Sequence, residues 1–148
     1  MRKIALLLLA LMAVSCTQNK QEIKTIDMQG HWKTLQTKVS KKTPIHDVNC
    51  EDGKAKWNGS VYTFNTDGSF SAKDICTGKS DSDSQKCKWK YEDHVLILES
   101  IYKGKDMRQV YSVSDIGDGK TKWKIIYTRY DQVYNMEDSG YYLIMQKQ

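Results

Sequence analysis

Apolar residues recur at alternate positions in short runs along this chain, and clusters of Gly, Asp, Asn, Ser and Lys separate the runs. A period of two is the mark of a half-buried strand, because successive side chains point to opposite faces. The first run opens at Gly30-His31-Trp32 and reaches about Val39. Residues 61–65 follow, with Tyr62 and Phe64 on one face, and residues 69–75 place Phe70 and Ala72 together. A two-residue Asp67-Gly68 turn would set Phe64 and Phe70 on opposite faces. A three-residue loop, Thr66-Asp67-Gly68, pairs Phe64 with Phe70 and Tyr62 with Ala72. The pattern therefore predicts a type I turn with Gly68 left-handed in a bulge.

Residues 87–92 put Cys87, Trp89 and Tyr91 on one face and Lys88 and Lys90 on the other. A tight turn at residues 92–94 leads into Val95-Leu96-Ile97-Leu98, which is apolar on both faces and implies a cover or an interface on its outer side. Residues 108–114 carry Tyr111 and Val113 together. Residues 121–129 alternate Trp123, Ile125 and Tyr127 against Lys122 and Lys124, and residues 141–145 form the last run. Residues 40–58 and 131–140 read as loops. One or two helical turns are expected over residues 22–29. About eight short strands with hairpin-sized turns predict an all-β fold, either a sandwich or an up-and-down antiparallel barrel, and closure removes exposed edges.

If the strands close, Trp32, Tyr62, Phe64, Trp89, Tyr91, Trp123 and Tyr127 share one aromatic face. That face is either a packed interior, as small barrels have, or the floor and wall of a cavity for an apolar or amphipathic ligand.

The start of the chain follows a different pattern. Arg2 and Lys3 precede eleven apolar residues, 4–14, too few for a bilayer core that needs roughly 20. No stop-transfer pattern follows, so residues 1–15 read as a removed export signal. Ala13-Val14-Ser15-Cys16 closely resembles the lipobox of bacterial lipoproteins. The resemblance implies cleavage before Cys16, acylation of Cys16 and anchoring in the cell envelope. Acyl chains give firm anchoring only when at least two are present. In these lipoproteins an Asp after the Cys favours inner-membrane retention; here Thr17 follows, which points to the outer membrane. The expected organisation is a signal over residues 1–15, a tether and short helix over 16–29, and a barrel domain over 30–148.

Loss of residues 1–15 lowers the formal net charge from +5 to +3 and leaves 133 residues, enough for one domain with a core. Acids and bases are interspersed, so nothing calls for nucleic acid. A single Pro beside 9 Tyr and 4 Trp suits strands. With Cys16 acylated, Cys50, Cys76 and Cys87 remain, in a compartment that permits disulfides. They allow one bridge and one odd thiol: Cys76–Cys87 would close a local loop, whereas Cys50–Cys76 would tie a long loop across a hairpin.

The barrel residues also resemble a family. Gly30-His31-Trp32 matches the Gly-x-Trp of the first lipocalin strand. The run from Tyr62 through Asn65-Thr66-Asp67-Gly68 to Phe70 resembles the strand–turn–strand of lipocalin-like domains in bacterial lipoproteins. Lys88-Trp89-Lys90-Tyr91 followed by Val95-Leu96-Ile97-Leu98 continues the pattern. The resemblance covers roughly residues 30–145. It implies a lipocalin-like barrel, a Cys pairing around the 88–98 hairpin, and an Arg packed on Trp32, for which Arg129 is the candidate.

Catalytic signatures are weak. Gly119-Lys120-Thr121 mimics the tail of a P-loop but precedes a strand, and without a helix N-terminus there is no phosphate cradle. His46, Asp47, Cys50, Glu51 and Asp52 fit no zinc spacing. Asp81-Ser82-Asp83 lacks the Gly and distal Glu of a calcium loop. No nucleophile elbow or zinc-protease motif occurs. The expectation is thus a lipid-anchored binding protein with no enzyme activity, metal or other cofactor. Its expected ligand is a small apolar or amphipathic molecule. The alternative is a filled barrel that binds a protein or glycan through its surface.

Overall fold

The computed structural model describes residues 25–57, 59–80, 86–130 and 132–148. Twelve strands follow in chain order: β1 (Gly30–Lys38), β2 (His46–Asp47), β3 (Cys50–Glu51), β4 (Lys54–Ala55), β5 (Ser60–Phe64), β6 (Phe70–Asp74), β7 (Lys88–Glu92), β8 (Val95–Tyr102), β9 (Lys105–Gly117), β10 (Lys120–Arg129), β11 (Val133–Asn135) and β12 (Tyr142–Lys147). Eight of them form an antiparallel sheet in the order β6-β5-β1-β12-β10-β9-β8-β7. Every neighbour in that order except the β1–β12 pair is also the next long strand in the chain. The result is an up-and-down barrel in which the first and last strands lie side by side. Among the described residues, the β6–β7 seam is bridged at Ser69 and Lys88. Two backbone bonds flank that bridge, Phe70 N–H to the Cys87 carbonyl (3.3 Å) and Trp89 N–H to the Gly68 carbonyl (2.8 Å). The barrel is therefore nearly closed.

Alternation along an up-and-down barrel sends its connections to two ends. Residues 65–69, 93–94 and 118–119 turn at one end, where the chain also enters β1. The long connections, 39–59, 75–87 and 130–141, lie at the other end, the mouth, with the 103–104 turn. The entry end is plugged. Met28 is buried, and its carbonyl accepts a hydrogen bond of 2.9 Å from Trp32 Nε1. Residues 25–29 have no regular secondary structure, so the expected helical turns are absent from that part of the 22–29 span. The rest of that span, Cys16 and the export signal lie outside the described residues.

The β5–β6 register is the predicted one: Phe64 faces Phe70 and Tyr62 faces Ala72. Gly68 has φ +79°, and Asn65 N–H reaches the Ser69 carbonyl at 2.9 Å across the turn. A side chain at Gly68 would pay the left-handed penalty of about 1 kcal/mol.

Three expectations need correction. Residues 40–58 and 131–140 are not unstructured loops, because β2 pairs with β1, β3 with β4 and β11 with β10. Tyr127 does not share the face of Trp123. A bulge between Ile125 and Tyr127 sets Ile125 opposite Tyr111 but Tyr127 opposite Val110, whose side chain points the other way. Arg129 sits at the mouth end of β10, far along the strand from Trp32. The cation over the Trp32 ring is Lys147, 5.9 Å from its centroid.

The outward half of the 95–98 run also has an explanation. Leu96 and Leu98 are buried inside, while Ile97 faces out between Lys90 and Val110. Lys88, Lys90 and Arg108 surround Ile97 in a shallow cleft, and their aliphatic stems give it partial cover.

Candidate functional site

The aromatic residues gather around Trp123, which is fully buried. Its ring centroid lies 5.9 Å from Trp32, 5.5 Å from Tyr62, 5.9 Å from Phe64 and 6.0 Å from Tyr111. Phe64 extends the cluster to Phe70 at 6.0 Å and Trp89 at 5.1 Å. Tilted rings at such separations are favourable beyond the area they bury. Trp123 Nε1 donates to Thr121 Oγ1 (2.9 Å), and Trp89 Nε1 donates to the Asn65 carbonyl (3.0 Å). Tyr91 packs at the edge of the core with His94 beside it. Six of the seven sequence candidates therefore come together, and Tyr127 does not. Trp32, Phe64 and Trp123 are buried packing residues, and Trp32 also borders a pocket of about 270 Å³ at the entry end, beside Ile26 and Lys120.

Toward the mouth the interior changes character. A cavity of about 280 Å³ opens between β5–β6 on one side and β8–β9 on the other. Its apolar surface comes from Tyr62, Phe70, Ala72 and Met107, and its polar groups include Ser60, Ser100 and Gln109. Tyr102 and Lys79 stand at the rim. None of these polar positions is a candidate in the sequence, although a signal is present. Ser100 continues the inward series of Leu96 and Leu98, and Gln109 continues that of Tyr111 and Val113, so polar residues occupy core-facing positions there.

Burial pushes the Tyr62 and Tyr111 hydroxyls well above the usual phenol range, and the nearby Tyr141 hydroxyl adds to both shifts. Ser60 hydrogen-bonds Tyr62 and opposes its shift. A phenol whose folded value is raised stabilises the fold fully below its unfolded value near 10, and loses that contribution as pH rises further. Stability is therefore expected to fall above about pH 10. Phenolate absorbance of these two residues should appear only together with loss of near-ultraviolet circular dichroism. Complete tyrosine ionisation with an intact near-ultraviolet spectrum would contradict this assignment.

The mouth is braced rather than loose. Cys50 and Cys76 form a disulfide with a Cα–Cα distance of 5.7 Å, which joins the 39–59 and 75–87 connections. Cys87 keeps a buried thiol. Asp74 accepts from the Thr77 and Cys76 N–H groups (2.8 and 2.9 Å) and the Thr77 hydroxyl through Oδ1, and from Ala55 N–H through Oδ2. Those donors, led by the Thr77 amide, hold its carboxyl below the ordinary range. Gly59 lies where a Cβ would collide with the side chains of Val48 and Ile75. His46 stacks on Trp57 at 3.7 Å, and Thr37 Oγ1 holds the Trp57 carbonyl at 2.7 Å. With His46 stacked and Cys50 bridged, the 46–52 segment is engaged in structure. Among the described residues no three His, Cys, Asp or Glu side chains converge on a metal position. The chain matches no described protein family and no curated protein.

Proposed function

We propose that this chain is a lipid-anchored envelope protein whose barrel binds a small amphipathic molecule at its mouth. One observation carries the binding reading: the cavity beside Tyr62, Phe70 and Met107, with hydroxyl and amide groups from Ser60, Ser100 and Gln109. Its lining mixes apolar side chains with fixed polar groups, and such polar groups orient a ligand in a small-molecule site. Its volume, about 280 Å³, suits a small ligand rather than a long one. The lipoprotein-like start of the chain supports anchoring through Cys16 at the outer membrane. Residues 25–29 meet the barrel at the plugged end, so such an anchor would join it opposite the mouth.

Native mass spectrometry of the chain purified from its own host tests the reading. The expected result is a small molecule that leaves on denaturation, together with acyl mass on Cys16. A bare mass, with no change in melting temperature across fatty acids, retinoids, sterols and haem, would end the ligand reading. It would favour a surface module for a protein or glycan partner. The feature that favours that second reading is Trp57, 42% exposed at the mouth and stacked on His46.

A further inference from the structure

We infer that the ligand of this cavity is an amphipathic anion, its apolar body inside and its acidic head at the rim between Lys79 and Lys103. The inference rests on the cavity reading above and specifies the ligand's charge. Lys79 lines the cavity from the 75–87 connection. Across the opening, Tyr102 lines it from β8, and the Lys103 ammonium stands over the Tyr102 ring, 5.2 Å from its centroid. Lys79, in the 75–87 connection, and Lys103, in the turn beside Tyr102, thus lie on two different connections next to one opening. Among the described residues neither makes an ion pair within 4.0 Å, in contrast to Lys41, Lys56, Lys90 and Lys147, which pair with Asp138, Glu51, Glu92 and Asp27.

The one carboxylate in the lining does not oppose this. Asp74 directs both oxygens to the Ala55, Cys76 and Thr77 donors, which fixes its charge in the loop junction. The neighbouring Asp106 lies on the outward side of β9, since Met107 and Gln109 face the cavity. Deeper in, the polar groups are neutral: Ser60, Ser100, Gln109 and the Tyr62 hydroxyl, which burial keeps protonated. A neutral, partly apolar interior under a cationic collar discriminates by charge at the rim and by shape below. A cationic ligand would meet repulsion at the collar, and the one carboxylate in the lining, Asp74, is already engaged by the Ala55, Cys76 and Thr77 donors.

The test uses two matched pairs on the full chain, octanoate against octanamide and phenylpropionate against its amide, titrated by calorimetry at low salt. The expected result is about tenfold tighter binding of each acid, the size of two partly exposed charge interactions. The preference should shrink in Lys79→Gln and Lys103→Gln and in high salt. Equal binding of acid and amide would overturn the inference and leave the cavity reading standing, as would an acid preference that both variants retain. Binding of none of the four probes, with no ligand carried from the host, would overturn both.

Discussion

Trp123→Ala is expected to destabilise the barrel by about 3–5 kcal/mol, enough to unfold a large share of a marginal domain at room temperature. Trp123 is fully buried and touches the rings of Trp32, Tyr62, Phe64 and Tyr111, which come from three other strands of the barrel. Removing the indole loses its transfer free energy and leaves a hole that rigid strands cannot collapse into. It also removes the Nε1–H that donates to the buried Thr121 hydroxyl. Tyr127→Ala is the control. Tyr127 lies four residues further along the same strand but faces outward beside Val110, so its loss should cost under about 1 kcal/mol. Urea unfolding of the two variants reads both numbers. Similar losses would mean that Tyr127 is part of the core after all.

That contrast shows what the sequence makes legible. Alternation with a period of two places Trp32, Tyr62, Phe64, Trp89 and Trp123 inside, and it fixes the Phe64–Phe70 register because only a three-residue turn puts both rings on one face. The same rule misplaces Tyr127. The residues at the bulge, Ile125-Ile126-Tyr127, are all apolar, so no polar residue marks the lost beat. A second bulge, between Thr34 and Gln36 in β1, likewise turns Thr37 inward, where its hydroxyl holds the Trp57 carbonyl. Bulges depend on how neighbouring strands twist and fit, and that information is not local. Lys147 over Trp32, in the place expected for Arg129, is hidden for a related reason: it follows from pairing the last strand with the first. The cavity itself was half legible. Its aromatic floor follows from the inward Tyr62 and Phe70. Its polar half lay in inward serine and glutamine positions that the aromatic pattern draws attention away from.

Removing the Cys50–Cys76 disulfide, as Cys50→Ser with Cys76→Ser, should cost about 3–4 kcal/mol. The bridge spans 26 residues, a loop long enough for its loss to restore considerable freedom to the unfolded chain. Sequence spacing left this bridge and a Cys76–Cys87 bridge equally open. The fold decides between them by bringing two connections together. β2 pairs with β1 and turns the chain back, and Ala55 N–H binds Asp74 two residues from Cys76. Cys87 is instead drawn into the core behind β7, where its carbonyl accepts from Phe70 N–H. The effect should reach the site as well as the stability. Ala55, Gly59 and Lys79 border the cavity from the two connections the disulfide joins, and Asp74 borders it from the adjoining end of β6. The unbridged protein should therefore melt at lower temperature and exchange amide protons faster at residues 50–59 and 74–80, with the β9–β10 amides accelerated less. Hydrogen exchange on the folded protein separates the two contributions. Faster exchange confined to those connections locates the brace at the mouth. Unchanged exchange there, at a lower melting temperature, would place the whole effect in the unfolded chain and remove the disulfide from any role in shaping the cavity.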